Sequence, residues 1–258
     1  MADGIEIGTA DGIASVRLCR PAKRNAITGA MYGAITQALI AGEADAAVTA
    51  HLIHGSGGVF TAGNDLADFR TAAEGDRATL AGVLAFLDTL PKVQKPMIAA
   101  VDGIASGIGT TLLFHCDLVY ATPAATFSTP FLDLGLVPEN GSSLLAPLIM
   151  GHQRAFELLV LGETFTAERA VAAGFVNRLV SPEHLEATAR GAALRLATKP
   201  PEALAIARRL LRSDAGAIAA RSREEAELFG QRLQSAEARE AISAFLEKRK
   251  PDFAIRRP

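Results

Sequence analysis

The stretch KPMIAAVDGIASGIGTTLLFHCDLVYA, residues 95–121, predicts how strands and helices are organised in this chain. Its apolar run Met97–Val101 is typical of a buried strand. The glycine-rich turn Asp102–Gly109 follows, then a predicted helix through Leu113 and a second strand at Asp117–Tyr120. Strands that alternate with helices favour crossover connections and parallel pairing. We therefore predict an α/β fold.

The same alternation extends towards the N-terminus. The apolar periodicity and turn residues predict a hairpin near Ile5–Thr9 and Ala14–Cys19, a helix from about Thr28, a strand at His51–His54 and a helix at Ala78–Leu90. The predicted sheet is therefore built almost entirely from the first half of the chain.

Helical patterns dominate beyond about Ser142, apart from a short predicted strand near Val176–Val180. After the break Lys199–Pro201 every apolar stripe has helical spacing. We predict a core over residues 1–199 and a helical region over 200–258. A helical region of that size is too small to fold well alone, so we expect it to pack on the core or on a partner subunit.

Composition excludes several classes of protein. The 258 residues are 49% hydrophobic and 21% charged with a net charge of -2, which is typical of an ordinary globular chain and argues against a dedicated nucleic-acid binder. Two cysteines and five histidines show no metal-ligand spacing, so we expect no metal. The N-terminus lacks the pattern of an export signal and no apolar stretch suits a membrane span, so we expect a cytoplasmic protein.

Three loops that precede predicted helices are candidates for chemistry. They are residues 60–66, 102–109 and 138–143. The first backbone N–H groups of a helix have no intrahelical acceptor and can bind an anion or a developing oxyanion. Glycines that only mark tight turns are the simpler interpretation of each loop taken alone.

Taken together, several blocks of the sequence resemble the crotonase superfamily, also called the enoyl-CoA hydratase/isomerase superfamily, and the resemblance covers essentially the whole chain. The matching blocks are residues 20–27, 60–66, 95–103, 116–121, 166–170, 174–177 and 245–253. The resemblance implies a spiral of ββα units with a C-terminal helical region that assembles trimers, often paired into hexamers.

The resemblance also implies an acyl-CoA thioester substrate, with coenzyme A as part of the substrate and no separate cofactor. The backbone N–H groups of Asn64 and Ile108 would hold the thioester oxygen as negative charge builds on it. The implied substrate-binding residues are Lys23, Arg24, Ala26, Ala62, Gly63, Asn64, Asp65, Leu66 and Phe131. Lys95 is a further candidate counter-charge for the phosphates, and Lys248 and Lys250 are candidates to reach a CoA held by a neighbouring subunit.

Two departures separate this chain from the hydratase branch, and the first is Ile108, where that branch usually carries glycine. Hydratases activate water with two glutamates, and the equivalent positions here are Thr111 and Phe131. Glu139 instead lies where the peroxisomal type of delta-3, delta-2 enoyl-CoA isomerase carries its single glutamate, and Ile108 also matches that branch. The resemblance therefore implies isomerisation of 3-enoyl-CoA to trans-2-enoyl-CoA, in fatty acid β-oxidation.

Alternatives remain open at this stage. Glu139 precedes a predicted helix, so it is a candidate to serve only the helix terminus, with Asn140 or Ser142 as the cap. The helix dipole would lower the pKa of Glu139, whereas burial beside Phe131 would raise it. Asp133 is an alternative base. Hydration or another acyl-CoA reaction, and a non-catalytic acyl-CoA-binding or RNA-binding role, are the alternative functions.

Overall fold

Strands alternate with helices along the chain, as the apolar patterning predicts. The computed structural model describes residues 3–65, 67–68, 77–212, 214–247 and 249–253. Its strands are β1 (Ile5–Ala10), β2 (Ile13–Leu18), β3 (Ala50–Gly55), β4 (Met97–Val101), β5 (Ile104–Ser106), β6 (Leu118–Ala121), β7 (Thr126–Ser128), β8 (Phe165–Thr166) and β9 (Arg178–Leu179).

Helices surround these strands and make up nearly all of the C-terminal part. They are α1 (Gly29–Ala44), α2 (Arg77–Thr89), α3 (Ile108–Thr111), α4 (Ser142–Met150), α5 (His152–Leu159), α6 (Ala167–Ala173), α7 (Pro182–Ala197), α8 (Pro201–Leu211), α9 (Ala215–Leu233) and α10 (Ala236–Leu246). No helix in the described ranges is both long and apolar enough to cross a bilayer.

The larger sheet confirms the predicted α/β fold. Its order is β1-β2-β3-β4-β6-β9; only the β1–β2 hairpin is antiparallel. Strands β3 and β4 are buried on both faces, as parallel strands covered by helices must be. Alternate side chains point to opposite faces, so Ile53 and Ala99 join the main core while Leu52 and Ile98 pack with α7.

A second, three-stranded sheet of β5, β7 and β8 was not predicted. Strand β5 lies inside the stretch that we predicted as a glycine-rich turn, so that prediction was wrong. The helix that follows is only the single turn α3, continued by a 3-10 turn over Leu112–His115. Strands of two or three residues are too short to produce a detectable hydrophobic period, which explains the error.

The helical region is anchored to the sheet through a buried arginine. Arg208 of α8 donates from Nε to Asp117 Oδ2 at 2.8 Å. Its Nη1 donates to the carbonyl oxygens of Val93 and Gln94 at 2.7 and 2.8 Å. These bonds join α8 to the ends of β4 and β6, because Asp117 Oδ2 also accepts from Met97 N at 2.8 Å. The division of the chain at residue 199 remains a prediction.

Replacing Arg208 by Met tests this anchor. The Arg208 side chain is 7% exposed, so its loss leaves the Asp117 carboxylate poorly compensated. We expect Arg208→Met to lower the free energy of unfolding by about 3 kcal/mol. Urea unfolding followed by circular dichroism measures the change. Arg209→Met is the matched control on the exposed side of α8. Equal effects of the two substitutions would show that the anchor contributes nothing.

Candidate active site

The backbone N–H of Asn64 points away from Ile27, which pairs with the residues on either side of Asn64. Ile27 N donates to Gly63 O at 2.8 Å, and Asp65 N donates to Ile27 O at 2.9 Å. Asn64 lies between these two bonds in a parallel bridge, so its own N–H faces the opposite side. That N–H has no acceptor among the described residues.

A close backbone approach brings a second such N–H alongside. Gly63 has a φ of +91°, and a Cβ at that position would lie 2.8 Å from Ser106 O, so only glycine fits without movement. Gly107 then turns the chain with a φ of +55° into α3, whose first residue is Ile108. The Ile108 N–H has no intrahelical acceptor. The structure therefore brings together the segments that carry both predicted amide donors.

A groove of about 780 Å³ lies beside these donors. The groove is lined by seven of the predicted substrate-binding residues: Lys23, Ala26, Ala62, Gly63, Asn64, Asp65 and Phe131. Arg24 does not line the groove, but its backbone holds a residue that does, because Ala62 N donates to Arg24 O at 2.9 Å. Leu66, and Lys248 in the tail, lie outside the described residues. Lys250 is exposed.

Two consecutive left-handed residues shape the wall of this groove. Arg24 and Asn25 have φ values of +50° and +54°. Asn25 is fully buried, and its Nδ2 donates to Ser56 O and Val59 O at 3.0 and 2.7 Å. Asparagine tolerates this backbone region better than most residues, and its amide satisfies the loop locally. The sequence block at residues 20–27 therefore encodes a rigid wall.

Lys95 has a structural role and does not reach the groove. Its Nζ donates to Gly42 O and Asp45 O, both at 2.7 Å, at the C-terminal end of α1. A cation there satisfies carbonyl groups that the helix leaves unpaired. The candidate role of Lys95 as a counter-charge for CoA phosphates was therefore wrong.

A second, smaller cavity is adjacent to the groove, and Asn64, Asp65 and Phe229 line both. Its volume is about 70 Å³. Its wall is largely apolar, with Ile27 and side chains from α1, α2 and α9: Tyr32, Val83, Leu84, Leu87, Ala226, Phe229 and Leu233. Glu139 also lines it and is 3% exposed. The structure thus brings a buried carboxylate and the Asn64 segment to the wall of one cavity.

Burial dominates the ionisation of Glu139. Removal of the carboxyl group from water, and secondarily the negative charge of Glu225, raise the pKa of Glu139 to about 8. Its Oε1 has no hydrogen-bond partner among the described residues. Of the two opposing effects that the sequence left open, burial prevails over the helix dipole. An unpaired carboxylate in an apolar cavity is a strong proton acceptor.

Tyr32 lines the same cavity and holds the Asn64 side chain. The Tyr32 hydroxyl donates to Asn64 Oδ1, and the ring is buried against Phe86 with centroids 5.1 Å apart. Burial, and secondarily the charge of Glu139, raise the pKa of Tyr32 well above its usual value, so the hydroxyl keeps its proton. This bond orients the Asn64 side chain. Sequence analysis missed Tyr32 because it lies in an ordinary helical stripe of α1.

The loop that carries Glu139 is held by a residue far along the chain. Glu225 of α9 accepts from Gly141 N at 2.6 Å and from Ser143 N at 2.9 Å, at the N-terminus of α4. The predicted cap by Asn140 or Ser142 was wrong, because neither side chain caps α4. The alternative that Glu139 serves the helix terminus also fails, since Glu225 occupies that position. Nothing local in the sequence distinguishes Glu225 from its exposed neighbours.

A neutral histidine supports the same loop from the other side. His115 Nε2 lies 2.8 Å from Asn140 O. Burial lowers the pKa of His115 to about 4, so the ring is neutral near pH 7. A carbonyl oxygen can only accept, so the ring proton is on Nε2. Asn140 is fully buried with a φ of +65°, and this bond helps to hold that backbone conformation.

The two positions that the resemblance equates with the hydratase glutamates carry no carboxylate. Thr111 is buried, and its Oγ1 donates to Ile108 O at 3.5 Å. Phe131 is 5% exposed and presents a ring to the groove. Asp133, the alternative base, is an exposed residue of the groove wall and does not line the smaller cavity. Within the described ranges, no three His, Cys, Asp or Glu side chains converge as metal ligands would.

Comparisons with known proteins point to one family. A family model described as enoyl-CoA hydratase/isomerase matches residues 8–256. The chain is 37% identical to enoyl-CoA delta isomerase 2 of Rattus norvegicus. The match covers 96% of this chain and 64% of the rat protein. The chain is also 35% identical to 1,2-epoxyphenylacetyl-CoA isomerase of Escherichia coli over 94% of this chain and 95% of that protein.

A solved structure agrees with these sequence relatives. The enoyl-CoA hydratase/isomerase of Pseudoalteromonas atlantica superposes with a TM-score of 0.92 at 35% identity, covering 98% of this chain and 100% of that one. The similarity extends over the core and the helical region alike.

The raised pKa of Glu139 predicts a measurable pH dependence of stability. The carboxyl group is protonated in the folded state up to about pH 8 but ionises near pH 4.5 when unfolded. Between these values the folded state binds more protons, so stability falls as pH rises. Glu139→Gln removes this loss. We expect the free energy of unfolding of the variant to exceed that of wild type, and the difference to grow by a few kcal/mol, in order of magnitude, from pH 5 to pH 8.5.

Urea unfolding at the two pH values checks this expectation. Glu163→Gln is the matched control, because Glu163 is exposed. A margin for Glu139→Gln that does not change with pH would contradict a raised pKa at position 139.

Proposed function

The chain belongs to the enoyl-CoA hydratase/isomerase family, and within it we propose that the protein isomerises 3-enoyl-CoA to trans-2-enoyl-CoA with Glu139 as the single base. Family membership confirms the resemblance that the sequence blocks indicated. The observation that carries the proposal is the burial of one carboxylate, Glu139, in a small apolar cavity that shares Asn64 with the larger groove.

The groove and cavity suit the two ends of an acyl-CoA. We propose that the CoA moiety occupies the groove, where Lys23 supplies counter-charge for phosphate. The thioester carbonyl then lies between the N–H groups of Asn64 and Ile108, and the unsaturated carbons enter the cavity beside Glu139. Each amide donor of such a pair contributes on the order of 3 kcal/mol to stabilising the transition state.

The reaction needs one base that acts twice. The Glu139 carboxylate takes a proton from C2, and the electrons of that C–H bond move into the thioester to give a dienolate whose oxygen the two amides stabilise. Glu139 then returns the proton to C4. The dienolate electrons re-form the carbonyl and leave a double bond between C2 and C3. The carboxylate is regenerated, and no water, metal or further cofactor enters the balance.

The pKa of Glu139 supports this role. A general base works best when its pKa lies near the operating pH, because it must be ionised yet still basic enough to take a weakly acidic proton. Burial brings the pKa of Glu139 to about 8, whereas an ordinary glutamate near 4.5 would be a much weaker acceptor. Hydration is less well supported, because Thr111 and Phe131 provide no carboxylate to activate water.

Turnover of a 3-enoyl-CoA by wild type and Glu139→Gln tests the proposal. We expect the substitution to lower kcat by about 100- to 10,000-fold, because glutamine accepts no proton. Binding of a saturated acyl-CoA should change only a few-fold, since glutamine preserves the shape of the cavity. Absorbance of the conjugated 2-enoyl thioester measures isomerisation, and chromatography measures any 3-hydroxyacyl-CoA formed by hydration.

Asp133→Asn is the matched control, because it removes the alternative base. This variant should keep the isomerase activity of wild type. Isomerisation that survives Glu139→Gln but is lost in Asp133→Asn would move the role of base to Asp133. Formation of 3-hydroxyacyl-CoA without isomerisation would overturn the proposed reaction in favour of hydration.

We further propose that the protein acts in fatty acid β-oxidation in the cytoplasm, as a homotrimer or a dimer of trimers. Exposed apolar side chains on α8 support assembly, since Ile206, Leu210 and Leu211 are 43%, 76% and 88% exposed.

Size-exclusion chromatography with light scattering measures the assembly directly. We expect a mass about three or six times that of the 27.0 kDa chain. The double variant Leu210→Glu/Leu211→Glu should shift the protein to smaller species, because it places charge on the apolar surface. A monomeric wild type would contradict the proposed assembly.

A further inference from the structure

We propose that Glu225 is a positioning residue for the base: from α9 its carboxylate holds the loop that carries Glu139 and places a second negative charge beside it. This inference rests on the proposed isomerase function. It assigns to the C-terminal helical region a part in the chemistry of the core, in addition to any part in assembly.

Glu225 caps the N-terminus of α4 although it is far from that helix in sequence. Glu225 Oε2 accepts from Gly141 N at 2.6 Å, and Oε1 accepts from Ser143 N at 2.9 Å. These donors lie 84 and 82 residues away along the chain. Gly141 directly follows Asn140 and is two residues from Glu139, so the two bonds fix the position of the base relative to α4.

Packing makes this position specific. Gly141 has a φ of +69°, and a Cβ there would lie 3.2 Å from Ile218 Cγ2 on α9. Helix α9 therefore lies against the loop at Gly141, about two turns before Glu225. Glu225 itself is 5% exposed. A displacement of α9 would move both carboxylates.

Both oxygens of Glu225 accept hydrogen bonds from amides at a helix N-terminus, which favours its ionised form. Burial is the larger effect and leaves the pKa of Glu225 raised, although hydrogen bonds from Ser143 and Gly141 and the charge of Arg221 act to lower it. A charged Glu225 makes ionisation of Glu139 less favourable, and its charge contributes to the raised pKa of Glu139.

Other titratable or charged groups lie near the pair. They are Tyr32 on α1, Asp65 and Asp68 in the segment after Asn64, His115 after α3, and Arg221 on α9. Tyr32 and His115 are neutral near pH 7.

Charge on the remaining groups is largely compensated. Asp65 pairs with Arg20 at 2.5 Å, and Asp68 accepts from Gly29 N at 2.7 Å. Arg221 pairs with Glu224 at 3.0 Å and also donates to Ser143 Oγ. Glu225 is therefore the charge whose removal should change the ionisation of Glu139 most.

Two substitutions distinguish the effect of the charge of Glu225 from the effect of its side-chain length. Glu225→Gln keeps the length but removes the charge, whereas Glu225→Asp keeps the charge but withdraws the carboxylate. Loss of the charge should stabilise ionised Glu139 and lower its pKa by about one pH unit. The ratio of kcat/KM at pH 6 to that at pH 9 should then rise about tenfold in Glu225→Gln, because kcat/KM follows ionisation of the free enzyme.

Glu225→Asp should show the opposite pattern. We expect the pH dependence of wild type with kcat lowered about 10- to 100-fold, because a small displacement of the base costs that much in rate. Glu227→Gln is the matched control on the exposed side of α9 and should leave both quantities unchanged. Circular dichroism confirms folding of each variant.

Several results would overturn the inference. One is a pH ratio in Glu225→Gln equal to that of wild type. Another is wild-type kcat in Glu225→Asp, which decides the matter even if Glu225→Gln fails to fold. Infrared titration of the Glu139 carboxyl band, identified by its loss in Glu139→Gln, measures the pKa without turnover. If wild type does not isomerise 3-enoyl-CoA, the proposed function is wrong. The effect of the Glu225 charge on Glu139 is tested separately by this titration, and a pKa of Glu139 that is the same in Glu225→Gln as in wild type would overturn it.

Discussion

Burial of a single carboxylate is the constraint on which the site depends. An ionised glutamate in an apolar cavity is costly, and the chain meets that cost by letting the proton bind up to about pH 8. The same burial that destabilises the folded protein at high pH makes Glu139 a strong proton acceptor. Stability and reactivity are therefore linked through one group, and the surrounding loop must be rigid enough to keep that group out of water.

Rigidity comes from backbone groups held by distant side chains. Glu225 holds the amides of the loop after Glu139, while neutral His115 holds Asn140 O. Across the cavity the Tyr32 hydroxyl holds the Asn64 side chain, and Gly63 allows the backbone to approach Ser106. Each contact joins segments that are far apart in sequence, so the site exists only when the core and the helical region are packed together.

The two-sheet architecture explains why these segments meet. The main parallel sheet provides a buried frame, and the small sheet of β5, β7 and β8 carries the chain from β4 into the single turn α3. The first N–H of α3 then emerges beside the Asn64 segment. Arg208 joins the helical region to Asp117 at the beginning of β6, which places α9 over the loop of Glu139. Fold and site share the same long-range contacts.

The sequence alone determined the α/β class, most strands of the main sheet, the family, and seven of the residues that line the groove, because apolar periods and contiguous motifs are local properties. The small sheet escaped prediction, since strands of two or three residues have no period. The cap of α4, the role of Lys95 and the direction of the Glu139 pKa were decided only by tertiary structure. These features depend on contacts between residues that are far apart in sequence. Glu225 resembles its exposed neighbours in sequence, and the degree of burial at Glu139 is set by three helices that no local pattern connects.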